Sequence, residues 1–188
     1  MKNKLLLMLF ICGFGQTEIN IKECIDKGLN FAKKISPYGG VTMPYGDNIN
    51  PPYAMGMHYG LDLKLKEIND KMPNNISLSF LGMYTPNDNS SLEPLTSNGI
   101  FLGYTLEKGK LFIKPSAGML SQKGMSTLDS DGDGVGDVAE GTDIGVKVEG
   151  GYNLGKISIY GGGIHTPTTF LGLEQTSAFF TAGLKYNF

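Results

Sequence analysis

The last eight residues of the sequence read Thr181-Ala182-Gly183-Leu184-Lys185-Tyr186-Asn187-Phe188. From Phe180 onward, apolar and aromatic side chains occupy every second position, and small or polar side chains occupy the positions between them. A period of two predicts a β-strand with one apolar face and one polar face. The last residue is aromatic, which is unusual for a soluble protein, because the ends of soluble chains are usually polar and frayed.

The stretch resembles the closing strand of bacterial outer-membrane β-barrels. Their recognition signal reads polar, any, Gly, any, any, aromatic or apolar, any, terminal aromatic, and the four places are taken by Thr181, Gly183, Tyr186 and Phe188. The resemblance covers roughly Tyr38 to Phe188 and is greatest to the small eight-stranded OmpA/OmpX-type barrels. It implies two partners, the lipid of the outer membrane and the barrel assembly machinery, which reads these four residues. An edge strand of a soluble β-sandwich is the alternative.

Composition agrees with a single domain of 188 residues. Charged residues make up only 18% of the chain and the net charge is -2, so nothing argues for a nucleic-acid partner. No apolar run is long enough for a transmembrane helix. In a transmembrane β-barrel only alternate residues face lipid, so a modest mean hydropathy of -0.10 is expected.

The amino terminus has the pattern of an export signal. Two lysines precede the apolar run Leu5–Ile11, and small residues follow it. We therefore predict a signal peptide over residues 1–15, cleaved before Gln16, and export to the outer membrane of a Gram-negative bacterium. Cleavage leaves Cys24 as the only cysteine, which excludes an internal disulfide.

Residues 16–37 form a second predicted segment, which contains a helix from Asn20 to Ile35. Apolar residues recur there at three- to four-residue spacing, and Asn20 with Glu23 makes a capping-box pair. Lys33 and Lys34 fall at the carboxyl end, where the helix dipole favours cations, and Ser36-Pro37 is expected to end the helix. The helix is predicted to be a periplasmic cap or a plug for the barrel mouth, with an unattached amphipathic segment as the alternative.

The remainder, residues 38–188, is predicted to form an all-β, eight-stranded, antiparallel, up-and-down transmembrane barrel. The expected strands are Tyr38–Tyr45, Tyr53–Glu67, Ile76–Tyr84, Gly99–Leu106, Lys110–Leu120, Thr142–Leu154, Lys156–His165 and Ser177–Phe188. Tight turns are expected at Glu107–Gly109 and Asn153–Gly155, with a moderate one at Glu67–Asn75. Long joins are expected at Gly46–Pro52, Thr85–Asn98, Ser121–Gly141 and Thr166–Thr176. Long and short connections thus alternate, as they do in outer-membrane barrels, whereas a sandwich has no reason for such alternation.

The faces of several strands separate polar from apolar residues. The interior of an eight-stranded barrel is only wide enough to be filled by side chains, so the inward charges should form a paired network. The predicted members are Asp62, Lys64, Lys114, Lys147, Glu149 and Lys185. His58 is expected to pack in the lumen, and His165 to form hydrogen bonds where the seventh strand meets its loop. No catalytic signature accompanies these histidines, and an enzyme is not expected.

One loop carries a metal-binding motif. Residues 129–140 match D-x-D-x-D-G with Glu at the twelfth position, as in the EF-hand-type loop of thrombospondin type-3 and dockerin repeats. Calcium takes six to eight oxygen ligands, which side chains converging around a glycine turn can supply. The predicted ligands are Asp129, Asp131, Asp133, Val135 through its carbonyl, Asp137 and Glu140. A solvated acidic loop is the alternative.

The sequence therefore predicts a monomeric outer-membrane β-barrel with a structural or adhesive role that presents a calcium-binding extracellular loop. Two alternatives stay open. One is a narrow channel for small solutes, and the other is a secreted, soluble calcium-binding β-sandwich. Nothing in the pattern identifies the partner of the loops.

Overall fold

The computed structural model describes residues 21–45, 53–69, 74–87, 93–125, 130, 132, 137–170 and 173–188. The predicted signal peptide lies outside this range. The described elements are the helix α1 (Ile21–Ala32) and the strands β1 (Ile35–Tyr45), β2 (Gly56–Asn69), β3 (Asn74–Thr85), β4 (Leu95–Lys108), β5 (Leu111–Met125), β6 (Val138–Asn153), β7 (Ile157–Phe170) and β8 (Leu173–Tyr186). Within the described residues, no helix has the length and hydrophobicity of a membrane span.

The eight strands close into a barrel. Each strand pairs antiparallel with the one before it, and β8 pairs back onto β1 with Tyr38 opposite Lys185. Closure gives every strand two neighbours, so no edge is left open. The predicted eight-stranded antiparallel barrel is confirmed, and the β-sandwich alternative is wrong, because one sheet closes on itself instead of two sheets facing each other.

The two ends of the barrel differ in their connections. At the end where β1 begins and β8 finishes, here called the terminal end, the connections are residues 70–73, 109–110 and 154–156. At the opposite loop end they are residues 46–55, 86–94, 126–137 and 171–172. Gly109 and Gly155 have φ of 65° and 96°, a region that glycine enters without a steric cost.

The strands reach further toward the loop end than the sequence predicted. The long join expected at Thr166–Thr176 is wrong, because β7 and β8 stay paired as far as Phe170 opposite Leu173. Likewise β5 extends to Met125 and β6 begins at Val138, within the join expected at Ser121–Gly141. Backbone pairing does not require apolar side chains, so polar stretches that resemble loops in sequence still form strands here.

The predicted helix is too long at its carboxyl end. It stops at Ala32, Lys33 and Lys34 form a turn, and Ser36-Pro37 belongs to β1. The ladder with β2 decides the boundary, since it already pairs Ile35 with Leu63. The turn is held to the same strand, because Lys64 N donates a hydrogen bond of 2.8 Å to the Lys34 carbonyl.

Polar residues face the interior of the barrel and apolar residues face outward. On β2, Met57 and Tyr59 are 58% and 61% exposed, whereas His58 and Asp62 are 3% and 5% exposed. This is the reverse of a soluble protein, in which a large exposed apolar surface is uncommon. The predicted alternation of faces on β2 is confirmed.

Inward glycines make room for large rings inside the barrel. A Cβ atom on Gly151 would come within 2.6 Å of the Phe112 ring, and one on Gly60 would collide with the ring of Tyr38. At both positions the bulky inward side chain is supplied by a neighbouring strand, and the glycine leaves the space that its ring occupies.

Candidate functional site

Five charged side chains from four strands meet in the middle of the barrel. We call them the lumen cluster: Asp62 on β2, Lys114 on β5, Lys147 and Glu149 on β6, and Lys185 on β8. All five are buried. Side chains of a strand alternate between its two faces, so each of these positions falls on the inward face of its strand. The prediction that these five residues form a paired network is confirmed.

Asp62 is the hub of the lumen cluster. Its Oδ1 atom lies 2.8 Å from Lys114 Nζ, and its Oδ2 atom accepts a hydrogen bond of 2.5 Å from Lys185 Nζ. Ser79 Oγ donates to Oδ1 at 2.6 Å and itself accepts from Lys114 Nζ at 2.8 Å. Both oxygens of this buried carboxylate therefore have charged partners, as a buried charge requires.

Glu149 is the second anion of the cluster, and its contacts are longer. Its Oε1 atom lies 3.4 Å from Lys147 Nζ, and its Oε2 atom lies 3.8 Å from Lys114 Nζ and 3.9 Å from Lys185 Nζ. Neither Lys147 Nζ nor Glu149 Oε2 has a hydrogen bond of good geometry within the described residues. Three ammonium groups thus face two carboxylates, which leaves one net positive charge in the cluster.

Aromatic rings complete the surroundings of the lysines. Lys185 Nζ lies 5.4 Å from the ring centres of Tyr38 and Tyr160 and 5.7 Å from that of Phe112. A cation within about 6 Å of a ring centre is attracted by the negative face of the ring. The sequence analysis did not identify this arrangement, although Phe112 lies two residues before Lys114 and therefore on the same inward face of β5.

The two histidines differ in their placement. His58 is buried in the lumen, as predicted, and its Nε2 atom lies 2.5 Å from the hydroxyl oxygen of Tyr160. His165 is not at a strand end, because β7 continues for five more residues, and its side chain is exposed on the outward face. The predicted position of His165 is therefore wrong, since the polar residues after it also pair in the sheet.

A cavity of about 230 Å³ opens the lumen at the terminal end. Lys64, the sixth predicted member of the network, is half-buried in its wall, while Lys114 and Lys185 line it from the side of the lumen cluster. Toward the loop end, buried Phe101 and Leu120 also occupy the interior. Side chains thus fill the middle of the barrel instead of lining an open pore.

The residues of the predicted recognition signal divide between the two faces of β8. Thr181 and Gly183 point inward, and a Cβ atom on Gly183 would lie 2.9 Å from the Tyr160 hydroxyl oxygen. Tyr186 and Phe188 are exposed on the outside, where their rings form an edge-to-face pair with centres 4.8 Å apart. The sequence pattern therefore combines an interior packing requirement with an exposed aromatic pair.

The predicted calcium motif is only partly within the described residues. Asp129, Asp131, Asp133 and Val135 lie outside them. Asp137 precedes β6, and its Oδ2 atom accepts a hydrogen bond of 3.1 Å from the backbone N–H of Ser130. Glu140 lies in β6 itself, on the exposed face and opposite Lys123 in the ladder. The second and ninth positions of the motif are thus in contact.

No protein-family model matches the chain, and no curated protein matches its sequence. Its structure is similar to the N-terminal β-barrel domain of Pseudomonas aeruginosa OprF, with 12% identity, a TM-score of 0.54, and coverage of 82% of this chain and 98% of that one. It is also similar to Neisserial surface protein A, with 15% identity, and to Ail, the attachment invasion locus protein of Yersinia pestis, with 14% identity. For each of these two structures the TM-score is 0.52, and the match covers 82% of this chain and 96% of that one. These similarities show a shared fold, the small eight-stranded barrel.

Proposed function

We propose that the chain is an outer-membrane β-barrel protein of a Gram-negative envelope, with a structural or adhesive role carried by its loop end. The observation that carries the proposal is the reversed polarity of the barrel, with a charged interior and an apolar outer surface. Exposed apolar side chains are found on every strand, among them Val41, Met57, Phe80, Ile100, Met119, Val146, Ile159 and Leu184. An outer surface of this kind is suited to contact with lipid.

The strand lengths support the same placement. The strands contain 11 to 16 residues, whereas a tilted strand needs about 9–11 residues to cross the hydrocarbon core. The barrel can therefore span a bilayer and still extend beyond it. Short turns at the terminal end fit the periplasmic side, and three of the four loop-end connections, residues 46–55, 86–94 and 126–137, are longer and fit the cell exterior.

Membrane fractionation tests this proposal. The protein should sediment with the outer membrane, and an unheated sample should migrate differently from a boiled one on a denaturing gel, because a closed barrel resists unfolding by detergent. Recovery of the protein in the periplasm or the culture medium, with no difference on heating, would contradict the placement.

The contents of the lumen favour a structural role over the narrow channel. The lumen cluster and the rings around it occupy the middle of the barrel, so a solute entering the cavity at the terminal end meets buried side chains. A conducting state would need several of these ion pairs to separate. The names of two similar structures, a surface protein and an attachment invasion protein, agree with a role in presenting loops.

Residues 129–140, which run from the loop into the start of β6, are the proposed calcium site. The contact between Ser130 and Asp137 supports it, because it brings the second and ninth positions of the acidic motif together. Side-chain oxygens of Asp129, Asp131, Asp133, Asp137 and Glu140, with the Val135 carbonyl, would supply the hard oxygen ligands that calcium prefers. Without a cation, five carboxylates within twelve residues repel one another.

Calcium should protect this loop from proteolysis, since a cation that binds only the ordered form stabilises that form by mass action. We expect a Kd of about 10⁻⁴–10⁻³ M, the range of extracellular modules. Asp129→Ala and Glu140→Gln should each abolish the protection and leave the barrel assembled. Calorimetry on the purified barrel in detergent measures the binding directly.

The matched control is Glu93→Gln. Glu93 is an exposed carboxylate in another connection at the loop end, so the variant removes the same charge outside the motif. It should retain calcium binding. An absence of calcium-dependent heat up to about ten millimolar, well above the expected range, would leave the loop as a solvated acidic segment.

A further inference from the structure

The helix α1 has an apolar side that is not buried in the barrel. Leu29 and Phe31 are 52% and 45% exposed. Successive residues of a helix are rotated by about 100°, so Leu29 and Phe31 flank an apolar arc centred on Gly28 and Ala32. The polar residues Asp26, Lys27 and Asn30 share the opposite side.

The connection between α1 and β1 determines where along the barrel axis this apolar side lies. Only two residues separate Ala32 from the start of β1. The register that pairs Tyr38 with Lys185 brings Ile35 level with Phe188, and Ser36 Oγ donates a hydrogen bond of 3.1 Å to Asn187 Oδ1. The helix therefore leaves the barrel beside the exposed aromatic pair Tyr186 and Phe188, at the edge of the apolar outer surface.

The connection carries charge of the sign that a lipid headgroup attracts. Lys33 and Lys34 are both exposed and follow α1 directly. The bond from Lys64 N to the Lys34 carbonyl ties this turn to β2, so the two cations are held at the rim of the barrel. Lysines at the edge of an apolar surface extend their amines toward headgroup phosphates.

From these observations we propose that α1 lies in the plane of the membrane, with its apolar side in the leaflet next to the terminal end of the barrel. Lipid thus covers the apolar side of α1, which neither packs into the lumen nor binds a second protein. Amphipathic helices of this kind bury their apolar side at the boundary between headgroups and acyl chains. The inference rests on the proposed placement of the barrel in a bilayer, and it gives α1 the role of a lateral anchor.

The chain contains no tryptophan, so a single introduced tryptophan reports the surroundings of one site. Phe31→Trp places the reporter on the apolar side of α1, and Asn30→Trp places it on the polar side as the matched control. The full-length mature protein is reconstituted in vesicles of phospholipids with brominated acyl chains, which quench fluorescence on contact. We expect strong quenching and a blue-shifted emission for Phe31→Trp, and neither for Asn30→Trp.

A third variant, Ile159→Trp, separates this inference from the placement of the barrel. Ile159 is exposed on the outward face of β7, so its reporter should be quenched whenever the barrel spans the bilayer. If Ile159→Trp is quenched while the two helix reporters are quenched equally and weakly, the barrel spans the bilayer but α1 is not an anchor. A Phe31→Trp reporter that is shielded from an aqueous quencher but not quenched by brominated lipid also overturns the anchor, because protein then covers the helix. No quenching of Ile159→Trp overturns the membrane placement itself.

Discussion

Asp62→Asn should lower the free energy of unfolding by about 3–5 kcal/mol, the cost of leaving buried charge without its partner. The substitution keeps the size of the side chain but removes one of two anions, so Lys114, Lys147 and Lys185 share Glu149 alone. Glu149 lies 3.4 Å or more from each of them, too far to replace the contacts of Asp62. Urea denaturation of the barrel in detergent or lipid measures the loss.

Two further variants make the test specific. Asp26→Asn removes an exposed carboxylate from α1 and should change stability by no more than about 0.5 kcal/mol. The triple variant Asp62→Leu, Lys114→Met, Lys185→Met leaves the Lys147–Glu149 pair balanced and should regain most of the loss, because apolar residues often replace buried ion pairs at no cost. If Asp62→Asn behaves like Asp26→Asn, water screens the lumen cluster and the network contributes little to stability.

Phe188→Asp should remove the protein from the outer membrane and leave degradation products in the periplasm. The expected cause is loss of recognition by the assembly machinery and not loss of packing. Phe188 is 60% exposed and lies on the outer surface beside Tyr186, so the finished barrel depends little on it. The purified variant, refolded in detergent, should therefore melt close to the unmodified protein while its level in cells falls several-fold or more.

Leu111→Asp is the control for charge placed on the outer surface. Leu111 is as exposed as Phe188 and also lies near the terminal end, where an acidic residue at the interface costs about 0–1 kcal/mol. That variant should assemble, as should Phe188→Tyr, which keeps an aromatic ring. Normal amounts of Phe188→Asp in the outer membrane would show that the residue is not part of a recognition signal.

The sequence predicted those features of the structure that follow from the alternation of side chains along a strand. Eight strands, their inward charges and the placement of His58 all follow from a period of two, which is visible in any strand that has two different faces. Strand ends were predicted less well. The β7–β8 hairpin continues through polar residues to Phe170, and neither hydropathy nor turn residues mark the point where pairing stops.

For the lumen cluster, too, the sequence predicted one part of the arrangement and not the other. Its members could be predicted because alternate residues of a strand share one face, and a charge on the inward face has to pair inside a closed barrel. Their contacts could not be named, since these depend on the stagger between strands. The rings of Tyr38, Phe112 and Tyr160 around Lys185 come from three other strands, and their spacing in the sequence gives no sign of the contact.

The seam between β1 and β8 has a consequence for the order of events during folding. The ion pair between Asp62 on β2 and Lys185 on β8 joins residues 123 positions apart, so it forms only when the last strand closes the barrel. Contacts so distant along the chain form slowly, because a large loop must close first. Until that moment the interior of the sheet is open to water, so the charges that it will enclose stay hydrated. Closing the ring and removing water from its charges are therefore a single, late step.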